Sequence, residues 1–166
     1  MKKLSCCFVM VLVLAAGALA APRGLSGLCL GIGAGGIGDG YVQGEFDFPV
    51  SHSVCLGPEL ALGFGGWMSG YLGGAGRWYF IPDNAIFQPG LAFSAGLAHA
   101  FDNNSDNHPF GDNSGWTGAY FRAAVGCDFD IPNSPVSPYV DLGGMFLAGD
   151  GSDSDLNAEL GIRIER

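Results

Sequence analysis

Tyr41-Val42-Gln43-Gly44-Glu45-Phe46-Asp47-Phe48 decides the fold. Val42, Gly44, Phe46 and Phe48 make one stripe; Tyr41, Gln43, Glu45 and Asp47 make the other. A period of two sends alternate side chains to opposite faces of a strand, so this segment has one apolar and one polar face. The same alternation recurs in seven further runs, over 28–34, 54–64, 71–80, 87–98, 119–129, 139–146 and 156–164. No convincing amphipathic helix lies between them. Eight such strands predict an all-β protein closed as an antiparallel up-and-down barrel. Pro58 and Pro89 fall inside two of the runs, where each removes a ladder hydrogen bond, marking a bulge or the end of a strand.

The connections are of two kinds and interleave. Three contain proline and read as short turns: 49–53, 81–85 and 131–135. Four are rich in Gly, Asp, Asn and Ser: 35–40, 65–70, 102–115 and 149–155. An eight-stranded meander with both termini on one side has three connections at that rim and four at the other. This matches the short inner turns and longer outer loops of barrels that cross an outer membrane.

The chain opens with Met1-Lys2-Lys3, an apolar run from Phe8 to Ala20 and the small-residue site Ala18-Leu19-Ala20. That order reads as a cleavable signal peptide over 1–20, with a barrel domain over 21–166. The alternative is an N-terminal anchor, but the run falls short of the ~20 residues a spanning helix needs. Cys6 and Cys7 precede the apolar run, so neither stands at the cleavage site. Cleavage after Ala20 removes both lysines, leaving five arginines against sixteen acids. Without a basic footprint, nucleic acid is an unsuitable partner. Three cysteines, Cys29, Cys55 and Cys127, remain in an exported compartment that permits disulfides. Their pairing cannot be read from spacing.

Two orientations of the barrel are open. In a soluble, lipocalin-like barrel the apolar stripe would enclose an apolar ligand. The other stripe, mostly Gly and Ala without lysine, would then meet water, and it makes a poor solvent face. In the inverse arrangement Leu, Ile, Val and Phe face lipid. The polar stripe then seals Glu45, Asp47, Glu59, Asp128, Asp141 and Glu159 in the lumen with Arg77, Arg122 and Arg163. Buried charges need partners, and the planar guanidinium fork suits bridging several carboxylates. Six acids against three arginines predict that some acids reach water near the rims or are neutral. Aromatic residues near run ends supply a candidate interfacial belt: Phe48, Trp67, Tyr71, Trp78, Phe80, Phe87, Phe101, Trp116 and Phe129. These features favour the lipid-facing arrangement.

With leader, alternating runs, proline turns and polar loops all in place, the chain resembles the small eight-stranded bacterial outer-membrane barrels, including the porin-like surface-antigen proteins. The resemblance covers nearly all of the chain after the leader and rests on pattern, so it speaks to architecture more than to activity. It implies an outer-membrane location and a monomer in contact with outer-membrane lipid and the barrel-assembly machinery. It also implies a structural or surface role, with an extracellular ligand or host surface met through the loops. Some relatives of this kind modify lipids. That family usually closes its last strand with an aromatic residue; here the chain ends Ile162-Arg163-Ile164-Glu165-Arg166.

Catalytic chemistry is sparse. His52 falls in a turn, His99 at the end of the fifth run and His108 in the long loop, without the Ser/His/acid spacing that a lipid-modifying enzyme needs. Asp150, Asp153 and Asp155 are a weak calcium-ligand candidate, and no cofactor is expected. The reading is therefore a non-enzymatic outer-membrane barrel with a filled lumen that is not a general pore. An exported soluble barrel and a lipid-modifying enzyme remain as alternatives.

Overall fold

The computed structural model describes residues 27–36, 39–65, 68–80, 86–101, 116–149 and 152–165. Eight strands follow one another: β1 (Gly27–Ala34), β2 (Gly40–Pro49), β3 (Val54–Phe64), β4 (Met68–Tyr79), β5 (Phe87–Phe101), β6 (Trp116–Phe129), β7 (Val136–Ala148) and β8 (Ser152–Glu165). Each pairs antiparallel with the next, and β1 pairs with β8, closing the barrel. Closure leaves no strand edge unpaired, which a long apolar β-chain needs to avoid edge-to-edge association.

The register fixes the dimensions of the tube. Partners traced from Gly90 pass through Gly126, Asp141, Glu159, Gly33, Tyr41, Gly63 and Ser69, then return to β5 at Ala100, ten residues further on. A shear of ten on eight strands, with ~3.3 Å per residue and ~4.8 Å between strands, gives a tilt of roughly 40° and a backbone radius of roughly 8 Å. Such an interior has room for side chains and little else.

The stripes point as the lipid-facing arrangement requires. Leu60, Leu72, Val125 and Leu160 are more than half exposed on the outer wall, whereas Asp47 and Asp141 are fully buried inside it. Phe46, Phe93 and Ile162 also lie on the outer wall.

Neither proline opens a bulge. Pairing of β2 with β3 lapses opposite Pro58 and resumes in the same register, from Glu45↔Glu59 to Phe48↔Leu56. Pro89 lies near the start of β5, and its carbonyl accepts the Phe80 amide at 2.9 Å. Strands also run further into the polar connections than their composition predicts. Met68–Gly70 belongs to β4, and Ser152–Asp155 belongs to β8. Ladder pairing outweighs weak local strand propensity here. At the other rim, Asn133 adopts a left-handed backbone (φ 64°) that asparagine tolerates, and Ser134 donates its amide to Ile131 at 2.9 Å.

Candidate functional site

The lumen is the chemically distinctive part of the molecule. Its half nearer the turns 49–53 and 131–135 holds one continuous ionic chain. Asp47 pairs with Arg163 at 3.0 Å, and Arg163 with Asp128 at 3.2 Å. Asp128 pairs with Arg77 at 2.9 Å. Arg77 grips Asp141 with both terminal nitrogens, at 2.9 and 2.8 Å. Arg122 links Asp141 at 3.2 Å to Glu159 at 2.7 Å. Five strands (β2, β4, β6, β7 and β8) supply these residues, so the chain crosses the tube from wall to wall.

Tyrosines and amides extend the network. Tyr79 donates to Asp128 at 2.8 Å, while Tyr139 and Tyr41 donate to the two oxygens of Glu159 at 2.5 and 2.9 Å. Gln43 accepts from Arg122 at 2.9 Å, and Asn157 donates to the Tyr41 hydroxyl at 2.8 Å. Arg77 and Arg163 also stack over Tyr139 and Tyr79, at 4.8 and 5.4 Å from the ring centres. These polar partners were absent from the predicted network; their phase on the inward stripe was the signal that could have found them.

Small residues make the room. A Cβ at Gly126 would overlap the Asp141 carboxylate, and one at Gly161 would overlap the Tyr139 ring. Each glycine sits directly across the ladder from the large side chain it accommodates. The Gly/Ala content of the inner stripe is therefore a packing requirement of an eight-stranded tube.

All nine predicted lumen charges are buried. The four acids Asp47, Asp128, Asp141 and Glu159 share the three arginines. Glu45 and Glu59 face each other across β2 and β3, and neither enters an ion pair within 4 Å among the described residues. They do not reach water at a rim; both are at least 95% buried. One oxygen each of Glu45, Asp47 and Glu59 has no hydrogen-bond partner.

The loop end of the lumen is different. Tyr41, Tyr71, Tyr120, Ala61, Ala98, Ala100, Met145 and Leu147 form a buried apolar cluster. Tyr71 and Tyr120 meet edge to face at 5.4 Å. Tyr71 therefore does not belong to an interfacial belt. It lies near a strand end, but its phase carries it inward.

On the outer wall, Trp78, Phe80, Phe87 and Phe129 are exposed and Phe48 is half-buried, all at the turn end. Phe48 packs on Phe46 at 4.9 Å, Trp78 on Phe80 at 5.8 Å and Phe87 on Phe129 at 5.6 Å. Phe101 and Trp116 stand at the loop-side ends of β5 and β6, but their side chains, like Trp67, lie outside the described residues. So do the leader, Asp150 and His108.

Asp153 and Asp155 lie on β8 rather than in a loop. Each turns its carboxylate onto the next backbone amide at 2.7 Å. His52 is exposed in its turn, and His99 Nδ1 lies 2.6 Å from Thr117 Oγ1. Cys29, Cys55 and Cys127 are buried and form no disulfide. Cys127 is on the outward stripe yet nearly covered by its neighbours.

No family model matches the chain, and no curated protein matches it either. Solved structures share its architecture. The N-terminal β-barrel domain of Pseudomonas aeruginosa OprF is similar at a TM-score of 0.66 and 10% identity, covering 87% of this chain and all of that one. A de novo designed transmembrane β-barrel is similar at a TM-score of 0.54 and 14% identity, covering 88% of this chain and 98% of that one. Neisserial surface protein A is similar at a TM-score of 0.53 and 11% identity, covering 85% of this chain and 94% of that one. The chain has the fold of the eight-stranded outer-membrane β-barrels.

Proposed function

We propose that this protein is a non-enzymatic, monomeric resident of the bacterial outer membrane. It presents acidic loops at the cell surface and does not conduct solutes. The observation that carries this reading is the ionic chain from Asp47 to Glu159, which spans the lumen below an apolar plug. A tube of this radius, filled by paired charges and tyrosines, leaves no continuous water path. The apolar outer wall supports immersion in lipid, and the aromatic pairs at the turn end support an interfacial anchor there.

Export would follow the leader over 1–20. The barrel-assembly machinery would insert the chain. The loops between strands carry Asp, Asn and Ser without lysine, which suits contact with a surface ligand or a cationic partner.

Two measurements test the reading. In planar bilayers the refolded protein should give no large, steady channel; such a channel would overturn the sealed lumen. In fractionated cells it should sediment with the outer membrane and shift on a gel after boiling. Recovery as a detergent-free soluble protein would favour the exported ligand-binding barrel. An altered lipid profile that depends on His99 would favour the enzyme.

A further inference from the structure

We propose that Cys29, Glu45 and Asp47 form a binding site for one thiophilic divalent cation of the zinc class, inside the turn end of the lumen. One ligand atom from each of the three lies within 4.8 Å of the other two, and all three residues are buried. The backbone builds the site. Cys29 stands directly opposite Glu45 on the β1–β2 ladder, and Asp47 is the next inward residue along β2. Three donors on one face of two paired strands are held by the sheet rather than by a loop.

The second observation is the state of the oxygens. Glu45 Oε1 and Asp47 Oδ1 are sealed from solvent without a hydrogen-bond partner. Unpartnered buried carboxylate oxygens are costly unless something coordinates them. Asp47 Oδ2 is already engaged: it receives the Cys29 thiol at 3.2 Å and pairs with Arg163 at 3.0 Å. Arg163, opposite Cys29 on the β1–β8 ladder, thus holds Asp47 through Oδ2 and leaves Oδ1 for the ion, as outer partners of metal ligands commonly do. The nearby acid excess agrees: three arginines face six carboxylates, and Glu45 is outside every ion pair among the described residues.

The donor set chooses the metal. A thiolate with two carboxylates suits a borderline-soft ion at about 2.3 Å from sulfur and about 2.1 Å from oxygen, with a fourth position for water. Calcium and magnesium prefer all-oxygen shells. Binding replaces the thiol proton, which leaves to solvent, so the ion enters during folding, before the lumen closes.

The test folds the full chain in detergent with cobalt(II) as the probe, then removes free metal by desalting. The site should retain about one cobalt per chain and give the near-ultraviolet band of a thiolate–cobalt bond. Cys29→Ser should abolish the band, and Cys127→Ser should leave it intact. Absence of bound cobalt in the folded wild-type chain would overturn the proposal. So would a band that survives Cys29→Ser. If Cys29→Ser does not fold, Glu45→Gln decides: a folded Glu45→Gln chain that keeps full cobalt occupancy overturns the site.

Discussion

The two halves of the lumen solve one packing problem with different chemistry. At the turn end, three guanidiniums, their carboxylates and the Tyr79 and Tyr139 hydroxyls interlock in one hydrogen-bonded chain, which the Tyr41 hydroxyl joins from the loop-end cluster. At the loop end, Tyr71, Tyr120, Met145 and Leu147 fill the same cross-section as a packed cluster. Removing one member of a buried ionic chain strands charges, whereas removing a group from an apolar plug leaves at most a void. The halves should therefore respond to substitution on different scales, and that contrast can be broken by measurement.

The largest effect is expected at Arg77, which alone joins Asp128 to Asp141. Arg77→Met keeps most of the stem but leaves two buried carboxylates facing each other. Urea unfolding in detergent should register a loss of about 3–5 kcal/mol. A loss near zero would mean that the acids do not depend on their arginines, and the ionic half would then be packing like the other.

A smaller loss separates hydroxyl from ring. Tyr139→Phe removes the donor to Glu159 Oε1 while keeping the ring under Arg77. A hydrogen bond to a charged group contributes about 1.5–3 kcal/mol, and the unfolding midpoint should fall accordingly. At Gly161, across the ladder from that ring, a valine would collide with Tyr139 and with the Leu30 carbonyl. Gly161→Val should cost about 1–3 kcal/mol through displacement of Tyr139. An unchanged midpoint would show the tube to be looser than its radius implies.

Much of this contrast was legible in the sequence, and the rest was hidden by register. The period of two in Tyr41–Phe48 already separated Glu45 and Asp47 from Phe46. The inward placement of the nine charges needed no more than that. Which charges meet did need more. Arg163 pairs with Asp128 from β8 to β6, and Arg77 with Asp141 from β4 to β7; neither couple is adjacent in the barrel. Those contacts follow from a shear of ten, a sum over all eight ladders that no local pattern carries. The Glu45–Glu59 apposition rests on one ladder only, the β2–β3 register. Tyr71 exposes a different gap, because nearness to a strand end and phase along the strand pointed to opposite faces. Phase prevailed, since a one-residue slip would turn the whole strand over. Asp153 and Asp155 sit in a segment with the composition of a loop, yet pairing with Leu147 and Met145 draws them into β8.

The smallest effect is the sharpest test of the contrast. Tyr120 is buried in the apolar plug, and its hydroxyl has no hydrogen-bond partner there. A buried hydroxyl without a partner carries a desolvation cost with no compensating bond. Tyr120→Phe removes that group and keeps the edge-to-face contact with Tyr71. Its unfolding free energy should stay within about 0.5 kcal/mol of wild type, or rise. The same chemical change at Tyr139 is expected to lower it several-fold more. Equal losses at the two tyrosines would mean that the hydroxyls do equivalent work at both ends, and the division of the lumen into an ionic half and an apolar half would fail.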